Sequence, residues 1–491
     1  MRLNSKKDYQ RKLAWNLVGA VLPSIAGLLS IPWIVSALGN ERTGLLLLVW
    51  SLIGYASILD FGISRGLTLK VAEYNAAGQF EKVTKVSWTG LITLFIFGIC
   101  LSLVTLNLVD SASSKWLNVS PPNVKDFAYC LYISAISLPI IVLGAAFRGI
   151  LEGLNDFELS NKIKIPIGIW TFLCPAIVLP FSDKLSDIVI ALVVGRIFAF
   201  TAYVLFCKKI LPFSAATIDI TELKNILLFS GWITVSNVIS PLMATLDKYL
   251  VASFVAAKSV AFYAVPSEIL NRILVVPHAI AGVLFTSLVE KHSLKQTVVS
   301  VIRINYQIVF LVITAPLFLT VIFGKLFLEK WINLDFANQA YSSLAIVTIG
   351  LHANAIAHIP STALQSRGLS RTTALNHCIE LPFFLVVFLL LYKDFGILAA
   401  ATAWSLRAIG DFFLLSFQLR KTGDLGQGPE ADHLLIAESV VVSLLTLCFL
   451  LSDEIYLQIS TAILSMTFLY FFSSPDEKRM VSQFLRIRVS P

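Results

Sequence analysis

Seven ionisable side chains are candidates for a functional site, because each lies within or beside a long apolar segment of this sequence, where a charge needs a partner or water. Glu268 and Arg272 are four residues apart, so in a helix they lie on one face. Arg196 has no such neighbour along its segment. The other four flank apolar segments: Asp60, Arg65, Asp247 and Lys248. A charge at the centre of a bilayer costs several kcal/mol unless it faces a partner or a wet cavity.

Each of these groups has a structural and a functional interpretation. For the pair at 268–272 and for Arg196, a role in a polar cavity is favoured, because a lone arginine facing lipid would be too costly. For Arg65 the favoured interpretation is a long side chain that reaches the membrane boundary. For Asp247 and Lys248, a buried ion pair between helices and a role in binding are equally open.

Other kinds of chemistry find little support. The sequence contains no G-x-x-x-x-G-K-[ST] loop for a nucleotide and no Asp-x-Asp pair. The six cysteines form no Cys-x-x-Cys pair, and the histidines show no metal-site spacing. Four histidines lie in or near apolar segments, where a neutral, hydrogen-bonded core histidine is commoner than a proton relay: His278, His352, His358 and His377. We therefore expect no catalytic residues, no metal and no cofactor.

The elements that must position these residues are membrane helices. Of 491 residues, 57% are hydrophobic and 14% are charged, and the mean hydropathy is +0.80. A soluble domain carries roughly a quarter charged residues, so lipid must be the solvent for much of this chain. The stretches between apolar segments are too short for an extramembrane catalytic domain. The expected fold is all-α: a polytopic membrane protein.

The apolar segments predict about fourteen spans of roughly twenty residues each. They lie near residues 15–38, 44–64, 86–109, 127–147, 163–181, 187–207, 225–246, 260–288, 304–324, 340–365, 373–392, 396–419, 433–451 and 455–473. Prolines occur in pairs in the first and eighth spans, at 23 and 32 and at 266 and 277. Such prolines are compatible with bending helices, although proline is in any case commoner in membrane helices.

The distribution of positive charge predicts the orientation. With fourteen spans, the loops on the side of the termini hold a roughly threefold excess of Lys and Arg. Both termini are therefore expected in the cytoplasm, with the chain in a bacterial inner membrane. The net charge of +8 is scattered between spans, so it gives no indication of nucleic-acid binding.

A weak internal repeat predicts the domain organisation. At an offset of 217 residues Trp15 aligns with Trp232, and Gly44 aligns with Ala261. Six spans in each half would give two halves of the same orientation, a parallel repeat. The expected domains are an N-terminal six-helix lobe (1–210), a C-terminal six-helix lobe (211–421), and an accessory helix pair with a tail (422–491).

Two short motifs carry a family resemblance. Leu38-Gly39-Asn40-Glu41-Arg42-Thr43-Gly44-Leu45 joins the first two spans, and Leu59-Asp60-Phe61-Gly62-Ile63 closes the second. Together with the charged residues that follow, this resembles the N-terminal signature of the polysaccharide transporters, the Wzx-type O-antigen flippases of the multidrug/oligosaccharidyl-lipid/polysaccharide superfamily.

The resemblance implies two six-helix lobes arranged as a V around a central cavity. It implies transport of an undecaprenyl-diphosphate-linked oligosaccharide, with the polysaccharide polymerase and chain-length machinery as candidate partners beside the lipid bilayer. It also implies that cationic residues line the cavity, which here points to Arg65, Lys248 and Arg272, with acidic neighbours. Three alternatives stay open: a cation-coupled exporter of the same superfamily, a flippase for the peptidoglycan precursor, and a membrane glycosyltransferase, polymerase or ligase.

Overall fold

The computed structural model describes residues 6–56, 63–154, 156–208, 211–212, 216–224, 239, 242–243, 245–293, 298–424 and 440–447. Every regular element in these ranges is helical. Eight of the helical segments described are long and apolar enough to cross a membrane: 80–116, 121–153, 185–207, 257–282, 299–331, 334–366, 370–395 and 397–421. The prediction of an all-α membrane protein is confirmed, whereas the total of fourteen spans and the arrangement of the lobes stay predictions.

The chain divides into two compact units, Met1–Ala261 and Phe262–Pro491. The described part of unit 1 includes the helices α1 (Lys6–Ala56), α2 (Ile63–Ala76), α3 (Phe80–Ser111), α4 (Pro121–Gly153), α5 (Phe157–Val178) and α6 (Leu185–Cys207). In this unit α4 packs against α2, α3 and α6, and α5 packs against α1. The predicted domain boundaries follow the sequence repeat rather than these contacts, and they stay a prediction.

The junction between the first two predicted spans is tighter than the sequence suggested. The motif at 38–45 was expected to form an outer loop, but α1 is helical on both sides of Gly39. Gly39 alone leaves the helical conformation, with φ 73° and ψ 173°, a backbone region that glycine adopts readily because it lacks Cβ. One residue therefore changes the direction of the chain without a loop.

The described part of unit 2 includes most of α7 (Val260–Asn271) and the long helices α8 (Val275–Ser293), α9 (Val299–Trp331), α10 (Leu334–Ser366), α11 (Ser370–Phe395) and α12 (Ile397–Lys421). The eighth predicted span, 260–288, is two helices rather than one. The helix stops at Asn271, residues 272–274 form turns, and α8 begins at Val275 just before Pro277. A proline in the first turn of a helix is tolerated because the N–H group it removes has no intrahelical partner there.

Burial distinguishes inner helices from lipid-facing ones. In the most apolar window of α10, 78% of residues are buried, against 22% in α3 and in α6. α10 packs against α8, α9 and α12, so it forms the centre of unit 2. Large apolar side chains such as Phe198 and Leu390 are more than 70% exposed, as expected where hydrocarbon replaces water.

The remaining predicted spans have few described residues. The span at 225–246 and those at 433–451 and 455–473 lie largely or wholly outside the described ranges. The orientation of the termini also stays a prediction.

Candidate functional site

Asp247 and Lys248 lie inside unit 1, with only 3% and 6% of their surface exposed. The backbone N–H of Lys248 donates to Asp247 Oδ1 at 2.7 Å, and the Lys248 ammonium donates to Ser51 Oγ of α1 at 3.4 Å. The next residue continues the contact, because the Tyr249 hydroxyl donates to the carbonyl of Leu48 at 3.0 Å. A cation and a carboxylate are thus held, largely buried, against the second half of α1.

Within unit 1, the segment after Lys248 is bound to Asn118 by backbone hydrogen bonds. The N–H of Asn118 donates to the carbonyl of Ala252, and the N–H of Ala257 donates to the carbonyl of Asn118. The Asn118 side chain donates to the carbonyl of Ser253 at 2.7 Å. These bonds satisfy polar groups in a stretch that passes from a π-helical turn (Val251–Val255) to a 3-10 turn (Ala257–Ser259). The position of the buried pair on α1 is therefore well defined.

Glu268 and Arg272 form the second predicted pair, in unit 2. The Arg272 guanidinium lies 3.6 Å from Glu268 Oε2, across one helical turn. Their side chains are 27% and 34% exposed, although they belong to a segment apolar enough to span a membrane. Arg272 lies just beyond the end of α7, where the helix gives way to turns. The pair is thus a half-exposed charge at a break in a membrane helix, the kind of place where transporters bind polar substrates.

The other predicted residues are separate from these pairs in the sequence. Arg196 is half-buried in the middle of α6. Arg65 lies in the first turn of α2, while Asp60 and the side chain of Arg65 fall outside the described part of the chain. The role of all seven residues in substrate binding stays a prediction.

The structure adds a buried ionic cluster that was not selected from the sequence, formed where α11 packs against α12. Glu380 Oε2 accepts a hydrogen bond from Arg407 Nη1 at 3.1 Å and lies 3.4 Å from His377 Nδ1. A carboxylate oxygen of Asp411 lies within 4.8 Å of an oxygen of Glu380. Glu380, Arg407 and Asp411 are each at most 6% exposed. We call these four residues the 380–411 cluster.

This cluster could not be recognised along either helix alone. His377 and Glu380 are three residues apart in α11, and Arg407 and Asp411 are four apart in α12, so each pair looks complete by itself. The available signal was that both pairs occur near the middle of apolar spans that adjoin in the sequence. Ligand atoms of His377, Glu380 and Asp411 lie within 4.8 Å of one another, a spacing compatible with a metal ion. Arg407 disfavours metal binding there, because its guanidinium already donates a hydrogen bond to Glu380.

The residues of the 38–45 motif serve mainly as helix caps in the structure. Glu41 Oε1 accepts from the backbone N–H of Ser120, the residue that precedes α4, at 2.8 Å. Arg42 donates to the carbonyl of Asp183 and lies 3.5 Å from Asp126. Asp126 in turn accepts from the first N–H groups of α6, at Leu185 and Ser186. The motif therefore fixes the starts of α4 and α6 relative to α1.

The opposite end of unit 1 carries a tyrosine–carboxylate contact. The Tyr74 hydroxyl of α2 lies 3.0 Å from both carboxylate oxygens of Glu222, which is 9% exposed. Desolvation and this hydrogen bond raise the pKa of Tyr74 to about 12. Nearby, Lys85 pairs with Asp219 at 3.3 Å. These contacts attach the connection that follows α6 to α2 and α3.

Comparison with known proteins finds a matching family and a named relative. Residues 10–292 match the family described as "Polysaccharide biosynthesis protein". A relative from Shigella flexneri, named "Putative O-antigen transporter", is 28% identical over 403 residues, which are 82% of this chain and 96% of the relative.

Two solved structures share the fold. An inward-facing multidrug resistance MATE family transporter of the MOP superfamily matches 84% of this chain and 94% of its own, with a TM-score of 0.69 at 14% identity. The lipid II flippase MurJ in an inward closed conformation matches 96% of this chain and 99% of its own, with a TM-score of 0.70 at 13% identity. At these identities the likeness concerns the fold.

Proposed function

Because this chain belongs to the polysaccharide biosynthesis protein family, we propose that it is a flippase for undecaprenyl-diphosphate-linked oligosaccharide repeat units. It would move them from the cytoplasmic to the outer leaflet of a bacterial inner membrane, for O-antigen or another surface polysaccharide. The single observation that carries this proposal is the match, over 96% of its length, to a relative named as an O-antigen transporter.

Family membership confirms the resemblance found in the motifs at 38–45 and 59–63. The related chain is named as a transporter, and the similar folds are those of transporters and flippases. The prediction of a membrane transporter rather than an enzyme is therefore confirmed. The alternative of a glycosyltransferase or polymerase is set aside.

The physical problem explains why such a protein needs charged residues in its spans. A prenyl tail can stay in lipid, but the diphosphate and sugars must cross roughly 30 Å of hydrocarbon. Arginine and lysine offer phosphate oxygens charge-assisted hydrogen bonds, which are stronger than neutral ones. Lys248, which donates to Ser51 of α1, and Arg272 at the α7–α8 break are the cations that we assign to this task. Asp247 and Glu268 hold their charge balance when the substrate is absent.

The membrane potential supplies part of the driving force in this proposal. The cytoplasm is negative, so outward movement of an anion gains about 2.3 kcal/mol per charge per 100 mV. A diphosphate would use this gain unless ions moving with it cancel its charge. Collapsing the potential in vesicles should slow flipping, and an unchanged rate would exclude this source of energy.

Deletion of the gene tests the function. In the deletion strain, lipid-linked repeat units should accumulate on the cytoplasmic leaflet while surface polysaccharide is lost, and the wild-type gene should restore both. Accessibility to an impermeant glycosidase or lectin in vesicles of known orientation reports the leaflet. Normal surface polysaccharide in the deletion strain, together with increased retention of a cationic dye, would favour the drug-exporter alternative instead.

A further inference from the structure

The 380–411 cluster lies deep within unit 2, far from either end of its helices. Glu380 is ten residues from the start of α11 at Ser370, and Asp411 is ten residues from the end of α12 at Lys421. At 1.5 Å per residue each is about 15 Å from that helix end. Both helices are apolar enough to span a membrane, so the cluster is expected near the middle of the bilayer.

The charges of the cluster do not balance unless a proton is present. Two ionised carboxylates would carry two negative charges against the single fixed positive charge of Arg407. Unbalanced charge is costly in a buried membrane site. Two neighbouring carboxyl groups avoid this cost when one of them holds a proton. With that proton in place, the positive charge of the guanidinium and the negative charge of the remaining carboxylate cancel.

The hydrogen-bonding inventory points to the same missing proton. Among the residues that the structure describes, no donor reaches Glu380 Oε1 or Asp411 Oδ1, although both atoms are buried. A buried acceptor without a donor costs about 1–3 kcal/mol. Oxygens of the two carboxyl groups lie within 4.8 Å of each other, so a proton on one carboxyl group would supply the missing donor for the other. The pair therefore requires a bound proton to be satisfied.

Among the described residues, His377 is the group beside Arg407 that could neutralise the pair, and it would need a proton of its own to do so. The charged and titratable groups that act on the two carboxyls are Arg407 and His377. On the neighbouring α10, His352 faces Thr314 of α9 at 2.9 Å, and His358 stacks on His278 of α8 with ring centroids 4.2 Å apart.

On α9, a contact with α12 runs through Tyr306 and Phe412. Arg303, one turn before Tyr306, is the charged residue of that helix nearest to this contact in the sequence.

We propose that Glu380 and Asp411 form a binding site for one exchangeable proton, with Arg407 as its fixed counter-charge. His377 is the most exposed of the four side chains, at 16%, and it touches Glu380, so it marks the side from which the proton enters. Carboxyl and histidine groups of this kind carry protons in membrane pumps and transporters. The proposal concerns unit 2 alone and goes beyond the choice of lipid-linked substrate.

A metal ion is the competing ligand, and the geometry disfavours it. A metal needs its carboxylate ligands ionised and its histidine neutral. Here the Glu380 oxygen that faces His377 already accepts from Arg407 at 3.1 Å, so a cation would meet a guanidinium directly. A proton has no such conflict, because it lies between the carboxyls and leaves the Arg407 contact intact.

Infrared difference spectroscopy of the full chain in lipid nanodiscs tests the proposal. The wild-type protein should show the C=O stretch of a protonated carboxyl at neutral pH, and the band should shift on exchange into D₂O. Asp411→Asn should remove it, and Glu380→Gln should remove or shift it. Asp424→Asn is the matched control. Asp424 is 4% exposed and paired with Arg367 near the end of α12, so this variant should keep the band.

Both variants at the cluster replace a carboxyl by an amide of the same shape, which can still donate to the remaining carboxylate. They should therefore fold, as judged by a monodisperse elution profile. If one variant does not fold, the proposal is tested by the other variant and by the deuterium shift of the wild-type band. A wild-type spectrum without such a band, or one that both variants leave unchanged, would overturn the proposal.

A second measurement separates proton from metal. After an alkaline pH jump, the wild-type protein should release about one proton per chain more than Asp411→Asn. Addition of Na⁺ or Zn²⁺ at constant pH should leave the carboxyl band in place. If either ion removes the band in the wild-type protein and not in Asp424→Asn, the site binds a metal and the proton assignment is wrong.

Discussion

Gly44 lies directly against the backbone of Ala257. A Cβ atom at residue 44 would be 2.7 Å from the carbonyl oxygen of Ala257 and 3.2 Å from the N of Ala261. The contact involves backbone atoms, which cannot move aside as a flexible side chain can. It brings α1 close to the segment that carries Asp247 and Lys248, and it joins Gly44 to Ala261, the residue with which the predicted repeat aligns it.

A larger residue at this contact should destabilise unit 1. We expect Gly44→Val to lower the free energy of unfolding by about 1–3 kcal/mol, the usual range for overpacking. Gly54→Val is the matched control on the same helix, because among the described residues no heavy atom lies within 4 Å of a Cβ at that position. The thermal midpoint of the purified protein in detergent provides the measurement. Equal midpoints for the two variants would mean that the close approach is unimportant.

The capping role of Glu41 makes a second prediction. Glu41→Ala should lower the free energy of unfolding by about 1 kcal/mol, because the N–H of Ser120 at the start of α4 loses its acceptor. Glu41→Gln keeps an oxygen at the same place and should retain most of the stability. Thermal midpoints of the two variants, compared with the wild type, measure the difference. If the Gln variant is as unstable as the Ala variant, the negative charge rather than the hydrogen bond is what matters.

The contact between Tyr74 and Glu222 predicts a dependence on alkaline pH. Folding raises the pKa of Tyr74 from an ordinary value near 10 to about 12, chiefly by desolvation and then by the hydrogen bond to Glu222. The folded state thus favours the neutral phenol. The resulting stability is complete below about pH 10 and is lost as the pH rises through about 12.

Tyr74→Phe removes the titrating group and should show a shallower loss of stability across this window. The difference between the thermal midpoints of the wild type and the Phe variant should narrow as the pH approaches 12. Asp219→Asn is a control that alters a neighbouring carboxylate and leaves the phenol in place. If the two midpoints differ by the same amount at all pH values, the pKa of the Tyr74 phenol is the same in the folded and unfolded states.

The positions of most described helices follow from the sequence. Long apolar stretches have essentially one solution in lipid, since every backbone polar group must be bonded within the helix. For this reason α4 and α9–α12 match predicted spans to within a few residues at their centres, and helix ends extend beyond them. The helix ends are less predictable because the apolar run stops before the helix does.

Two features depend on contacts that a sequence pattern does not contain. The break at 272–274 lies within one apolar run, and only the turns after Asn271 reveal it. The 380–411 cluster joins residues that are far apart in sequence, such as Glu380 and Arg407. Helical periodicity shows which residues share a face, but it does not show which face meets a partner. In the sequence, the four residues of the 380–411 cluster therefore look like two separate pairs.

Arg272 offers the most direct test of the substrate site. Its side chain is 34% exposed and its guanidinium lies 3.6 Å from Glu268 Oε2, so part of the guanidinium is accessible to a phosphate. A hydrogen bond to a charged group is worth about 1.5–3 kcal/mol. Arg272→Ala should therefore weaken binding of the lipid-linked substrate by roughly ten- to a hundredfold, while membrane insertion stays normal.

Surface polysaccharide and the cytoplasmic pool of lipid-linked repeat units, measured in a strain that carries only the variant, report this loss. Lys330→Ala is the matched control, because Lys330 is a 75% exposed cation at the end of α9 in the same unit. Arg272→Lys keeps the charge, so its level of surface polysaccharide should lie between those of Arg272→Ala and Lys330→Ala. It should not reach the control level, since lysine lacks the fork of donors that binds phosphate bidentately. Wild-type polysaccharide in the Ala variant at normal protein levels would remove Arg272 from the site. A loss in both the Ala variant and the Lys330 variant would indicate a general effect of positive charge.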